Sequence, residues 1–305
     1  MGAGEWGMLF TLALLWGGSF FFIDVAVRNL PPLTLVLLRL SGAALTLNIT
    51  VRLIGIPLPH SWRQWRPFFP LSLIMCVLPF SLISWGQIWI SSGLASILNA
   101  TTPLFTLVIA HFLTVDEKLS RPRVVAVVLG LSGIVVMIGT AALRNIGSEV
   151  LAQFAVLGAD MSYGFAGVTG RGVQSAGGLS HLANATMMVT CAALLVLPVA
   201  LLVDQPWRLP LPGPAVWGSV LGLAVMSTAL AYILYFRLLS TAGAVNLTLV
   251  TFLVPVTSIA LGTLVLHERL YANHVFGMAL IAAGLLAIDG RLVSWLRARA
   301  GSPQY

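Results

Sequence analysis

The chain has 305 residues, of which 58% are hydrophobic and only 8% charged, with a mean hydropathy of +0.98. Soluble domains carry about 25% charged residues, so this composition cannot wet a soluble surface of that size. The net charge of +7 would point to nucleic acid on a soluble protein; on one this apolar it marks Lys/Arg-rich loops at a membrane face, and no nucleic-acid partner is expected.

Ten apolar spans follow in chain order, at roughly 6–23, 33–52, 68–90, 94–114, 123–142, 150–168, 181–203, 214–236, 244–266 and 273–290. Most are close to the ~20 residues a membrane helix needs, and they are continuous rather than alternating, which excludes a β-barrel. Short turns rich in Pro and Gly divide them, such as Asn29–Pro32, Ile56–Pro59 and Leu209–Gly213, and none is long enough to be a soluble domain. The least certain boundary is Ser91–Gly93, between the third and fourth spans. The N-terminus lacks the basic region and cleavage site of a signal peptide, so the first span is expected to be retained.

Lys/Arg placement orients the chain. With the N-terminus inside, the inner loops hold Arg52, Arg63, Arg66, Lys118, Arg121, Arg123, Arg171, Arg237, Arg291, Arg297 and Arg299. The outer loops hold only Arg28, Arg144, Arg208 and Arg269, while Arg39 lies within a span. Both termini are therefore predicted to be cytoplasmic.

The chain is also written twice. Residues 92–139 recur at 242–290, with Gly93, Pro103, Glu117, Gly133 and Gly139 matching Gly243, Pro255, Glu268, Gly284 and Gly290 at offsets of 150 to 152. Weaker matches, Trp16-Gly17 with Tyr163-Gly164 and Ala43–Leu45 with Ala192–Leu194, extend the duplication over each half. Five spans per half is an odd number, so the halves enter the membrane in opposite senses. The expected fold is an all-α polytopic membrane protein of ten transmembrane helices arranged as two inverted five-helix repeats. The repeats are placed at 1–143 and 144–290, with a cytoplasmic tail at 291–305. Such folds bind substrate between the halves and expose it alternately to each side.

Ala13–Phe20 at the first span resembles the opening of an EamA domain. So does a fourth span with a central Pro, a Glu in the following loop, and a fifth span with Gly at its centre and end, found here twice. Two tandem EamA domains resemble the drug/metabolite transporter superfamily, over about residues 5–290. The resemblance implies a secondary transporter of a bacterial inner membrane, its partners a small-molecule substrate and the lipid bilayer, acting as a monomer. The aromatic content is similar to the branch that exports aromatic and other neutral amino acids.

Asp160 lies about 11 residues into its span, near the midplane, where a carboxylate costs several kcal/mol unless it faces a partner or a wet cavity. It is the proton-coupling candidate, although the EamA pattern carries no acid there; the alternative is a carboxyl held by neighbouring hydroxyls. Arg39, about 9 Å into its span by the helical rise, either binds a substrate carboxylate, snorkels, or pairs with Asp24. Substrate-binding candidates at span centres are Trp16, Ser19, Ser81, Trp85, Asn99, Tyr163, Tyr232 and Asn246, with Gln87, Thr101 and Thr248 further polar positions. The competing role of each is interhelical packing or an interfacial belt. Pro103 and Pro255 are the gating candidates, because each removes a backbone donor within a span. Glu117 and Glu268 read as structural helix ends, and Gly218–Gly222 as a packing seam.

Cys76 and Cys191 are single, and no metal-ligand spacing exists, so neither disulfide, metal nor cofactor is expected. A membrane enzyme acting on lipid or prenyl chains would need clustered acids or histidines. His60, His111, His181, His267 and His274 are instead dispersed, and no catalytic residue is assigned.

Overall fold

The computed structural model describes residues 2–115, 118–139, 147–175, 178–247 and 249–289. Glu117, Thr248, Gly290, Arg144 and the 291–305 tail lie outside these residues. The described residues contain helices and no strand. The helices are α1 (Ala3–Val27), α2 (Pro32–Leu53), α3 (Trp62–Gly86), α4 (Ser92–Leu113), α5 (Arg121–Ile138), α6 (Ser148–Ser175), α7 (His181–Val203), α8 (Pro214–Gly243), α9 (Val250–Val265) and α10 (Ala272–Asp289).

Seven of them, α1 to α5, α7 and α8, are long and apolar enough to cross a membrane, while α9 is apolar but shorter. The 28-residue α6 is long enough but falls short in apolarity, because Gln153, Asp160, Ser162 and Thr169 interrupt it. The boundary left open in the sequence resolves as a turn over Gln87–Ser91, with the Ser91 hydroxyl accepting from the Leu94 amide to cap α4.

The repeats interlock. The most extensive packing is between halves: α1 against α8 and α9, α6 against α3 and α4, α2 against α7, and α5 against α10. Each of these contacts is either its own mirror or has a counterpart under exchange of the halves. The repeated glycines show why. A Cβ on Gly17 of α1 would collide with Thr257 of α9 and lie 2.8 Å from the Val254 carbonyl. A Cβ on its counterpart Gly164 of α6 would lie 3.1 Å from the amide of Thr106 on α4. Thr106 and Thr257 are themselves 151 positions apart, so one close crossing is built twice. Gly133 and Gly284 do the same for α5 and α10, where an added Cβ would sit 2.7 Å from the carbonyls of Gly277 and Ala126 respectively. Gly17, Gly164, Gly133 and Gly284 are points where backbones touch, as association in lipid demands. In Gly218–Gly222, by contrast, only Gly222 meets a neighbour, the ring of Phe22, and Gly218 faces open space.

Two irregularities also recur by symmetry. Leu73–Val77 in α3 and Gly222–Leu230 in α8 are π-helical, at equivalent positions of the two halves. In α3 the cause is Pro79, which has no N–H to return to the previous turn. Ser162 of α6 supplies the missing donor, its Oγ 2.6 Å from the Ile74 carbonyl. In α8 the Thr228 hydroxyl satisfies Leu223, five residues back, at 2.8 Å. π-helical turns are rare and concentrate at functional sites.

Candidate functional site

A cavity of about 440 Å³ lies where the two halves meet. It is lined from α1 by Trp16, Ser19, Phe20 and Ile23, from α4 by Asn99, Thr102 and Thr106, and from α6 by Tyr163. Arg39 of α2, Phe80 of α3, Asn184 and Met188 of α7, and Ser227, Thr228, Tyr232, Tyr235 and Phe236 of α8 complete the polar and aromatic wall. Both π-helical stretches border it, through Met75 and through Ser227 and Thr228. The aromatic wall is preformed. Trp16 packs on Tyr235 with centroids 5.6 Å apart, Tyr232 stacks on Phe236 at 6.2 Å, and Tyr235 meets Phe236 edge-on at 5.0 Å. These are the separations at which aromatic pairs attract.

Of the sequence candidates, Trp16, Ser19, Asn99, Tyr163 and Tyr232 converge on this cavity, although they come from four helices. Ser81, Trp85 and Asn246 do not line it. Trp85 is one residue before the end of α3 and is exposed on the outer surface, where an indole suits the membrane interface. Asn246 donates to the Ala242 carbonyl at 2.8 Å, back across the kink at Gly243, and Ser81 is half-buried beside the cavity wall. Gln87 closes the end of α3 by donating to the Phe20 carbonyl at 2.8 Å.

Asp160 is fully buried immediately behind the cavity. Its carboxyl meets the Asn99 Nδ2 at 2.6 Å, the Thr102 hydroxyl at 2.8 Å and the Thr101 hydroxyl at 3.0 Å. All three belong to the interruption of α4 between Asn99 and Thr102. Pro103 causes that interruption, since it cannot donate to the Asn99 carbonyl. The Thr102 hydroxyl lies 2.9 Å from that carbonyl, and the Thr101 hydroxyl 2.7 Å from the carbonyl of Leu98. Each hydroxyl thus stands between a carboxyl oxygen and a carbonyl oxygen but has one hydrogen to give. A proton on the carboxyl supplies one of the two missing hydrogens: the acid donates to Thr101, and Thr101 donates to Leu98. The cluster can therefore take up a proton without moving a heavy atom. Neither Pro103 nor Pro255 lines the cavity, but their neighbours Thr102 and Val254 do.

Arg39 does not pair with Asp24, which is bonded to Arg28 just past the end of its own helix. Glu268 holds the halves together at another point. Its carboxylate accepts from the Ser92 amide at 2.8 Å and the Gly93 amide at 3.0 Å, capping the N-terminus of α4 from the loop after α9. The repeat places Gly243 opposite Gly93, but Gly243 has φ +78°, a conformation Gly93 does not adopt.

Residues not singled out in the sequence include Phe80, Asn184, Met188, Tyr235 and Phe236. The spacing of Tyr232, Tyr235 and Phe236, at i, i+3 and i+4, was a legible aromatic stripe. The others carry no signal until α3 and α7 are placed.

Comparison with known proteins follows the same division of the chain. The model of the EamA-like transporter family matches residues 5–139 and again 150–288. The chain belongs to the EamA-like transporter family. It is 26% identical over 279 residues to the "Uncharacterized transporter YoaV" of Bacillus subtilis, covering 91% of this chain and 94% of that protein. It is 26% identical to the "Uncharacterized inner membrane transporter YedA" of Escherichia coli K12, over 84% of this chain and 81% of the relative. "Protein PecM" of Dickeya dadantii is also 26% identical, over 92% and 90% of the two chains. A solved crystal structure superposes with a TM-score of 0.64 at 18% identity, covering 96% of this chain and 99% of that one, which shows the shared fold. The chain is a multi-pass membrane protein of a transporter family, with the two-repeat EamA architecture.

Proposed function

We propose that this protein is a secondary active transporter that exports small metabolites, amino acids with aromatic or neutral side chains foremost, by alternating access. The observation that carries the reading is the cavity between the repeats, walled by Trp16, Tyr163, Tyr232 and Tyr235 and backed by Asp160. Its volume falls within the ~300–1,000 Å³ of small-molecule sites. Its flat aromatic faces suit a flat apolar body. Trp16, Ser19, Asn99, Tyr163 and Tyr232 are the substrate contacts in this reading. Asp160 exchanges a proton, and Asn99 and Thr102, which touch both acid and cavity, transmit the exchange to the substrate.

The two repeats differ at Gly93, which is clamped by Glu268, and its counterpart Gly243, which is not in the same conformation. A protein that opens alternately to two sides has this asymmetry in any one state, and Pro103 and Pro255, each lacking the amide donor of its turn, are the hinge positions of the two halves in this reading. With both termini cytoplasmic, as proposed, the loop of Glu268 is on the outer side, and the cavity-lining His181, Phe236 and Leu239 are toward the cytoplasmic ends of α7 and α8. The test is flux in proteoliposomes of purified protein. Labelled phenylalanine, tryptophan and leucine are expected to move when a pH gradient is imposed. If neither a pH gradient nor counterflow moves any of a broad metabolite panel, the transporter reading fails.

A further inference from the structure

The charge inside the cavity is a cation, and the protein leaves it without a counterion. Arg39 is only 6% exposed, and no Asp or Glu is among the residues that line the cavity. Among the described residues no carboxylate lies within ion-pairing distance of it, Asp24 being taken by Arg28. Its guanidinium is nevertheless held in place. Nε donates to the Thr228 hydroxyl at 2.9 Å, and Cζ stands 3.8 Å from the centroid of the Phe80 ring. Thr228 lies in the π-helical turn of α8 and gives its own hydroxyl hydrogen to the Leu223 carbonyl. These contacts fix the plane of the fork and use Nε, while the two Nη groups, the ends that grip a carboxylate in bidentate fashion, have no acceptor among the described residues.

A buried, unpaired cation is costly, and the protein has a ready alternative. The offset of 149 that relates Ala43 to Ala192 sets Met188 opposite Arg39, and Met188 lines the same cavity. The equivalent position in the other half is thus filled by an uncharged side chain of similar length. The cation is a feature of one half only, as Asp160 is of the other.

We propose that Arg39 is the anchor for a carboxylate on the transported molecule. The cavity then takes small organic acids with an apolar or aromatic body, amino acids included, and rejects amines and amides of the same shape. The carboxylate supplies the absent counterion, and the wall of Trp16, Tyr232 and Tyr235 receives the body. This rests on the transporter reading only in treating the ligand as cargo; binding itself is measured without flux.

The experiment is titration calorimetry on the purified, detergent-solubilised full chain, with phenylacetate, L-phenylalanine, phenylacetamide, 2-phenylethylamine and inorganic phosphate as probes. Phenylacetate and phenylalanine are expected to bind, and the amide, the amine and phosphate at least tenfold more weakly. Arg39→Met, copying the other half, is expected to weaken the two acids by about 10- to 150-fold, the effect of deleting charged hydrogen bonds. Phenylacetamide should be nearly unaffected. Arg39→Lys keeps the charge and is expected to retain the preference for acid over amide. That preference, not affinity alone, separates an anchor from a residue that only holds α2 against α8.

The amine or the amide binding as tightly as phenylacetate overturns the proposal, as does phosphate binding equally well, or none of the five binding. A preference unchanged in folded Arg39→Met protein overturns it too. Selective binding of acids with no flux in vesicles keeps the anchor and removes the transporter reading. Flux of amines and amides as fast as acids keeps the transporter and removes the anchor.

Discussion

Glu268→Gln isolates a contact that joins the two halves. The wild-type carboxylate accepts from the amides of Ser92 and Gly93 at 2.8 and 3.0 Å, at the positive end of α4. Glutamine has one acceptor oxygen, so it keeps one of these bonds and turns an NH2 group toward the other amide. Hydrogen bonds to charged groups contribute about 1.5–3 kcal/mol each, and Glu268 is only half-buried, so screening lowers the expected loss to about 1–2 kcal/mol. For a chain of this size that is a fall in melting temperature of about 2–8 °C. Gly262 gives an independent handle on the same bond. An added Cβ there would overlap the Glu268 carboxylate and lie 2.9 Å from the Ser92 hydroxyl, so Gly262→Ala displaces the acid that Glu268→Gln weakens. The two variants should cost less together than the sum of their separate effects. The assay is thermal unfolding in detergent of the wild type, both single variants and the double variant. An unchanged Glu268→Gln protein, or strictly additive losses, would refute the assignment of the clamp.

Asp160→Asn is expected to leave the fold intact and to abolish the response of flux to a pH gradient while counterflow persists; vesicle transport between pH 5 and 8 measures this, and an unchanged pH profile removes the proton role. Ser162→Ala leaves the Ile74 carbonyl unsatisfied at the π-helical turn of α3, and is expected to cost about 1–3 kcal/mol in thermal unfolding. Gly17→Ala and Gly164→Ala should be comparably harmful, about 1–3 kcal/mol each, because both place a methyl group into the same repeated crossing. If only one of the pair is harmful in the same assay, the two crossings are not equivalent. Tyr235→Ala should lower affinity for aromatic probes more than for aliphatic ones, measured by calorimetry, because it removes the ring that Trp16 packs on.

Much of this architecture is written in local patterns. The apolar runs placed most of the helices, and the repeat related Gly133 to Gly284 before either had a neighbour. Asp160 stood out because a carboxylate at mid-span is rare whatever surrounds it. The eight substrate candidates were chosen by depth and polarity alone, and depth does not say which side of a helix faces inward. Trp85 and Asn246 satisfy the same criteria as Trp16 and Asn99 yet point elsewhere. The π-helical turns could not be read from the letters, because each is a register shift completed by a side-chain hydroxyl, Ser162 of a neighbouring helix in α3 and Thr228 of the same helix in α8.

The sequence by itself determined the membrane setting, the duplication and its spacing, since hydropathy and repeat offsets are sums over neighbours in the chain. Only the tertiary structure decided which polar groups meet. Arg39 and Thr228 are 189 positions apart, and Asn99 and Asp160 are 61 apart. Their pairing depends on how the helices turn about their axes, and that is fixed by close backbone crossings at glycine between elements distant in the chain.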